Sequence, residues 1–506
     1  MTNQTYDVAI IGSGPNGLTA AAYLAKAGAE VLVLEHRFER GGTFASDDYS
    51  TPYTYNLAQA SLPLGQELPP YRDLALQENA VGLVEPAVAF SVTTRDGRNF
   101  FVGRGGIGLG AKIERLLSAT DAAVRPLLYV APQSYDSVVE RLAATSPETI
   151  ELASLTPEGL AKLTDSPEAA IAVRYAAGLA GFTAPDSEFG VIGAFALARQ
   201  FSPVLVQGGI KNLANGIYRV AAKAGARQYV SASVRAVTQN EDGFELRLDD
   251  GRRFLSKTVV STVDPQTNAD LLSAELDTAD LEEIAQNWKL DPTGPFISHY
   301  GIKGIPHEDL NPATNAFLHI IGFDDEHEVT DHFMTAERGE LPSRVAGHVS
   351  FTSLHDPFQA SPGPYGPLHT LRFETHAPLE HPSGQSWTRK RVEYRQQIWE
   401  MLKQTFAPLA DVTLLFQFAD SPADISKRFP TARNGSVRQG SLAAEQTFTQ
   451  RPAPAWSSTR TPVKGFYVGG GSVHPGISGS LGSGYLVAGT VAEDIGLERW
   501  WSAPEL

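Results

Sequence analysis

The chain has 506 residues, enough for two or three domains with cores of their own, and its 42% hydrophobic and 19% charged residues exclude wholesale disorder. A formal net charge of -16 excludes the basic footprint that nucleic-acid binding needs and disfavours anionic membrane surfaces. There is no cysteine, which excludes disulfides, thiolate metal sites and cysteine nucleophiles, so any redox chemistry has to come from a bound cofactor.

The opening MTNQTYDVAIIG lacks the basic start and small-residue cleavage site of a secretory signal. No stretch reaches the roughly 18 continuous apolar residues of a spanning helix. A cytoplasmic protein without stable membrane insertion is expected. YDVAIIG reads as a buried parallel strand, SGPNG as a tight turn, LTAAAYLAKAG as a helix stopped by Gly28, and AEVLVLE as a second strand. Together they make one βαβ unit. A loop-rich stretch with many aromatics and prolines runs from Gly42 to about Pro70, followed by a hairpin in VEPAVAFSVTTRDGRNFFV that turns at Asp96 and Gly97.

Residues 105 to 200 are rich in alanine and leucine at helical spacing and read as a helical insertion. A second α/β passage starts near 204, with GGIKNLANGIYRVAAKAGA as a helix and YVSASVRAVTQ, GFELRLDDG and RRFLSKTVVSTV as strands. Between 290 and 380 the strand-like runs GPFISHYGI, AFLHIIGF and LHTLRFETHA alternate with Pro/Gly-rich loops, and KRVEYRQQIWEMLKQTFAPL follows as a helix. From Pro462 the pattern of strand, glycines and helix returns in GFYVGGG, SVHPGISGSLGSG and YLVAGTVAEDIG. The fold class expected is α/β: a Rossmann-type FAD-binding domain, discontinuous in sequence, with an inserted mixed α+β substrate domain. The nucleotide segments are placed at 1–75, 204–290 and 431–506, and the substrate segments at 76–203 and 291–430.

Gly12-Ser13-Gly14-Pro15-Asn16-Gly17 follows a strand and opens a helix, and Glu35 ends the next strand 18 residues beyond Gly17. Gly12 permits the tight turn, Gly14 lets backbone approach a pyrophosphate, and Gly17 lets helix and strand pack closely. Glu35 is placed to accept hydrogen bonds from a ribose diol. Arg37 leaves an opening for NADP, whose ribose phosphate would want a cation. Arg40-Gly41-Gly42-Thr43 offers a cation and flexible backbone where a pyrophosphate would pass. The closing run supplies a second glycine-rich junction, from Gly469 through Gly471 to His474-Pro475-Gly476 and Gly479, and favours a flavin over a nicotinamide. A helix N-terminus there would stabilise charge on a reduced ring.

The chain resembles the phytoene desaturase-like flavoproteins, in the soluble branch of pyridine nucleotide-disulfide oxidoreductase domain-containing protein 2-like chains. The likeness rests on VAIIGSGPNGLTAAAYLAKAG with VLVLE and RGG, on QGGIKNLANGIYRVAAKAGA with VRAV, LDDG and VVSTVDP, and on RTPVKGFYVGGGSVHPGISGSLG. It implies that Gly12, Gly14, Pro15, Asn16, Gly17, Glu35, His36, Arg37, Gly41, Gly42 and Thr43 bind the adenosine diphosphate half of FAD. It implies further that Val234 holds adenine through its backbone, that Gly471 approaches the flavin half, and that Pro475, Gly476, Ile477, Ser478 and Gly479 run beside the isoalloxazine. Where such relatives carry an HPGGG-like run, this chain has HPGISGS, so bulkier Ile477 and Ser478 stand in the flavin-side loop.

The flavin would take a hydride at N5 while a neighbouring proton is lost, which makes desaturation or dehydrogenation of a hydrophobic or mixed-polarity small molecule the expected reaction. Redox-neutral double-bond isomerisation, amine-oxidase-like chemistry and a non-catalytic flavoprotein are the alternatives. His474 in the flavin-side loop is a candidate for proton transfer, and Tyr55, with Tyr53 and Asn56, a candidate for the flavin's substrate face. Alternation along LHTLRFETHA puts Thr370, Arg372, Glu374 and His376 on one face, with Arg372 and Glu374 read as a solvated ion pair or, less simply, a carboxylate anchor. The spacing of histidines 319, 327, 332, 376 and 381 matches no compact ligand motif, so no metal is assigned. The sequence sets no oligomeric state.

Overall fold

The first strand, Thr5–Ile11, is apolar on both faces because both are covered, and it organises one of two large sheets. In the computed structural model, which describes residues 4–48, 52–272, 278–304, 315–360, 367–502 and 504, this strand pairs in parallel with Val31–Leu34 on one side and Arg253–Ser261 on the other. Arg227–Tyr229 extends the parallel row beyond Val31–Leu34, and Phe466–Val468 extends it beyond the C-terminal end of Arg253–Ser261. Gly243–Leu248 and Val234–Asn240 add an antiparallel flank, giving seven strands. The helices Pro15–Lys26, Lys211–Lys223 and Gly482–Asp494 pack together on one face, with alanines and glycines where they approach one another.

The run YVSASVRAVTQ, read as one strand, is two. Arg227–Tyr229 and Val234–Asn240 stand at opposite edges of the sheet. Between them Ser231 takes a left-handed backbone (φ +49°), and the amides of Ser231 and Ala232 bond the carbonyls of Arg37 and Glu35 at 2.8 and 2.7 Å. The chain therefore crosses over the C-terminal end of Val31–Leu34, and that crossing carries Val234 to the site.

The second sheet also has seven strands, in the order Thr413–Asp420, Gly294–Lys303, Leu368–Ala377, Gly347–Ser350, Leu318–Ile321, Val88–Thr93 and Asn99–Gly103. All pairs are antiparallel except Leu318–Ile321 with Val88–Thr93, and the last two strands form the hairpin turning through Asp96 and Gly97. The helix Trp387–Thr405 buries Trp387, Tyr394, Ile398, Trp399 and Leu402 against one face of this sheet, on Phe296, Leu371 and Phe373. Helices between 111 and 200, including the alanine-rich Pro167–Leu179 and Gly190–Gln200, fill the space between the other face and the nucleotide-type layer. The Pro/Gly-rich connections at 305–314 and 361–366 lie outside the described residues. The architecture is mixed α/β with two multi-strand sheets. No helix among the described residues is long and apolar enough to cross a membrane.

Candidate functional site

The helix Pro15–Lys26 starts where the first strand ends, with Gly14 as N-cap and no side chain bonded to its first amides. Those amides and the positive end of the helix dipole face a cavity of about 310 Å³, a ready site for an anion. Gly12 has φ +100°, and a Cβ there would strike the Thr262 hydroxyl. A Cβ on Gly17 would collide with the carbonyl oxygen of Gly12. On Gly14 a Cβ would meet nothing within 4 Å, because it would project into the cavity.

One end of the cavity is formed by Glu35, His36 and Arg37 together with Ala232, Ser233 and Val234 from the crossing segment. Glu35 is buried, and its carboxylate accepts from the amide and hydroxyl of Ser13 at 2.8 Å each and from the amide of Arg37 at 2.8 Å. It is thereby locked beside the turn with lone pairs to spare for a sugar diol. Gly42 and Thr43 line the middle. The far end is built by Gly470, Gly471, Ser478 and Gly479 with Arg438 and Gln439. The Gly471 amide donates to Gln439 Oε1 at 2.7 Å, and its carbonyl accepts from the buried Arg451 at 2.9 Å. The cavity is thus long, runs past a helix N-terminus at its waist, and has a fixed carboxylate at one end, which suits an extended dinucleotide.

Gly12, Gly14, Pro15, Asn16, Gly17, Glu35, His36, Arg37, Gly42, Thr43, Val234, Gly471, Ser478 and Gly479 therefore share one cavity. Gly41 stands behind it, its amide on the Ser13 carbonyl at 3.0 Å. Pro475 packs beside Gly482 at the start of the closing helix, Gly476 abuts the Arg451 guanidinium, and Ile477 faces a second cavity. Arg40 is not a lining cation: it lies over the Tyr218 ring, 3.9 Å from its centroid, and donates to Gln228 at 3.0 Å. Arg37 pairs with Glu39 and donates to the Arg428 carbonyl.

His474 lines neither cavity. Its Nε2 donates to the Leu127 carbonyl at 3.0 Å, its ring stacks on Phe448, and its Nδ1 is buried without a partner. Burial drives its pKa down to about 4, with Arg451 adding to the fall, so the imidazole is neutral. Tyr55 sits outside both cavities as well, buried among Tyr53, His299, Phe416 and Phe418, and desolvation pushes its phenol well above the ordinary range. Asn56 instead accepts from the Ile210 amide at 2.9 Å, at the start of the helix Lys211–Lys223. Among the histidines considered as ligands, His319 bonds Ser91, His332 bonds Thr375 and His376 bonds Thr293, each on its own partner.

The second cavity, of about 200 Å³, adjoins the first: Val437, Arg438 and Ser478 line both. Its apolar side is Ala58, Ala60, Leu62, Leu179, Phe317, Leu442 and Ile477, and Phe317 is the one carbocyclic aromatic ring among its described lining residues. Its polar side is the sheet face carrying Arg372, Glu374 and His348. The alternation along Leu368–Ala377 is as read, but the Arg372–Glu374 pair is not solvated. It lies in the cavity wall at 2.5 Å, with Arg372 buried and Glu374 only slightly exposed, and Arg372 also donates to the Ala58 carbonyl at 2.8 Å. Burial alone would raise the Glu374 pKa, but Arg372, helped by His348 and His376, outweighs it and holds the carboxyl below the ordinary range. Arg438 pairs with Asp291 at 2.7 Å, and Arg199 with Glu67 and Asp121 at 3.1 and 3.0 Å. Each of these three wall cations is matched by a carboxylate.

Arg438, Gln439, Thr262 and His348 escaped sequence reasoning. None has a local pattern that marks it, as in VRQG or AGHVS, and each takes its place through contacts distant in sequence: Arg438 on Asp291, Gln439 on the Gly471 amide, Thr262 beside Ile11, and His348 opposite Glu374. The one available signal was the two-residue period that put Arg372 and Glu374 on a common face.

A family model described as flavin-containing amine oxidoreductase matches residues 16–495. A limonene dehydrogenase subunit of Castellaniella defragrans is 28% identical over 99% of this chain and 96% of that protein. Pyridine nucleotide-disulfide oxidoreductase domain-containing protein 2 of Mus musculus is 24% identical over 93% of this chain and 90% of that protein. Among solved structures, putrescine oxidase bound to putrescine shares the fold with a TM-score of 0.62 at 17% identity, covering 97% of this chain and 99% of that one. Cyclohexylamine oxidase from Brevibacterium oxydans shares it with a TM-score of 0.60 at 15% identity, covering 97% and 100%.

Proposed function

Since the chain belongs to the flavin-containing amine oxidoreductase family and is an FAD-dependent oxidoreductase, we propose that it dehydrogenates a compact, uncharged, mostly hydrophobic molecule held in the second cavity. The observation that carries this reading is the junction of the two cavities at Val437, Arg438 and Ser478. FAD would lie with its adenosine end at Val234 and Glu35, its pyrophosphate at Gly14 and Gly42, and its ring end at Gly471 and Ser478. Bound there, it supplies a two-electron acceptor for a substrate hydride.

The residues of the second cavity define the guest. At about 200 Å³ it is smaller than the ~300–1,000 Å³ typical of drug-sized ligand sites, which supports a small, compact molecule over a long polyene. Its charges are internally paired, so an ionic guest would find no partner without breaking a buried ion pair. Alanine, leucine, proline and Phe317 on the opposite side supply apolar contact and exclude water. The likeness to a protein named as part of a limonene dehydrogenase points the same way.

Anaerobic mixing tests this. Purified FAD-loaded protein is titrated with limonene, cyclohexylamine and putrescine while the visible flavin bands are followed. Bleaching by limonene and not by the two amines is the expected outcome. Bleaching by an amine alone would replace the reading with amine oxidation, and turnover only after prior chemical reduction would replace it with isomerisation.

A further inference from the structure

Dehydrogenation removes a proton as well as a hydride, and something on the cavity wall has to receive it. Resting on the function proposed above, we infer that His348 is that group. Among the described lining residues of the second cavity, the titratable side chains are Arg199, Arg372, Arg438, Glu374 and His348. The three guanidinium groups stay protonated and cannot serve as bases. Glu374 is committed to Arg372 at 2.5 Å, and taking a proton there would leave the buried guanidinium uncompensated. His348 remains.

Its setting fits the role. His348 is buried on Gly347–Ser350, and sheet register places it directly opposite Glu374, with Arg372 two pairs along opposite Ser350. Its Nδ1 meets the hydroxyl of Tyr175 at 3.0 Å, a buried residue of the helix Pro167–Leu179. With Nδ1 taken up, Nε2 is the ring nitrogen available to a guest. Burial keeps the imidazole neutral, lowering its pKa to about 4; Glu374 pulls the other way, and Arg372 and His376 add to the fall. The site thus holds a neutral base next to a carboxylate that stabilises the imidazolium once it forms.

In the proposed step, one hydrogen leaves the substrate as hydride to FAD, carrying its bonding pair. The other leaves as a proton to Nε2 of His348, and the pair it leaves behind becomes the product's new double bond. This role requires Nδ1–H to donate to the Tyr175 oxygen, so that Nε2 is the bare nitrogen.

Two measurements on the FAD-loaded protein decide it. The first is 15N spectroscopy of histidine-labelled wild type without substrate, the His348 signals being identified by their loss in His348→Gln. A bare Nε2 and a protonated Nδ1 are expected, whereas a bare Nδ1 overturns the proposal. The second is the rate of flavin bleaching by limonene. His348→Gln should keep the flavin spectrum and stoichiometry yet bleach at least roughly a hundredfold more slowly, with Tyr175→Phe between it and wild type. Bleaching of His348→Gln within about threefold of wild type overturns the proposal. If limonene fails to bleach wild type, the proposed function falls, while the histidine assignment still stands or falls on its nitrogen signals.

Discussion

At the scale of single residues, two glycines of the turn are there for different reasons, and substitution separates them. Gly14 has ordinary backbone angles (φ −64°), and a Cβ would project into open cavity. Gly14→Val should therefore leave the stability of the cofactor-free protein within about 0.5 kcal/mol of wild type while weakening FAD binding at least tenfold, about 1.4 kcal/mol. Gly17→Val drives a side chain into the Gly12 carbonyl where helix and strand touch, and should cost about 1–3 kcal/mol or more of stability before any cofactor is added. Flavin titration and urea unfolding of the apoprotein read the two effects separately, and Gly14→Val binding FAD like wild type would refute the first. These positions were legible because the constraint is local: a turn between a strand and a helix is written in six consecutive residues. His474 shows the opposite. Its place in a glycine-rich loop was legible, but the direction of its ring depended on Leu127 and Phe448, which no local pattern ties to it.

At the scale of elements, Leu368–Ala377 carries the clearest link from sequence to chemistry. Its period of two sends Leu371 and Phe373 under the helix Trp387–Thr405 and sends Arg372 and Glu374 into the cavity wall. The alternation was visible in the sequence. Which face would be wet was not, because that depends on the helices between 111 and 200 closing over the sheet. For the same reason YVSASVRAVTQ looked like one strand: its residues suit a strand throughout, and only the hydrogen bonds of Ser231 and Ala232 to the end of Val31–Leu34 break it. A buried ion pair in such a wall makes an asymmetric prediction. Glu374→Gln leaves the Arg372 guanidinium buried without its counter-ion and should destabilise by about 3–5 kcal/mol. Arg372→Met combined with Glu374→Leu removes both charges and should cost less than the single change, although it makes the wall apolar. Denaturant unfolding of the two variants checks the order, and a double variant less stable than the single would contradict it.

At the scale of the whole molecule, acid stability is set by imidazoles that the fold buries neutral. His299 is held well below the ordinary histidine pKa of 6.5, His332 at about 3, and His348, His376 and His474 at about 4, in every case chiefly by desolvation. The sign follows from proton counting. Between pH 6.5 and 4 the unfolded chain binds protons at these sites and the folded protein does not, so acidification favours unfolding. The stability they protect is fully present above pH 6.5 and is lost as pH falls toward the folded values. A shift of 2.5 units, from 6.5 to 4, is worth about 3 kcal/mol per group, and five groups titrating together give a limiting slope of about 7 kcal/mol per pH unit. The net charge of -16 pulls the other way, since protonating surface carboxylates relieves self-repulsion, but those groups titrate mostly below pH 5 and are screened by salt. Against a total stability of about 5–15 kcal/mol, the histidines win first. The melting temperature of the FAD-loaded protein in 0.15 M salt should be level between pH 8 and 7 and fall steeply below 6.5, with cooperative unfolding before pH 4. His474→Gln should make that fall shallower by about one proton's worth of slope, about 1.4 kcal/mol per pH unit. A melting temperature that stays level down to pH 4.5 would mean that these imidazoles reach water in the native state, contrary to the burial on which both their neutrality and the proposed role of His348 depend.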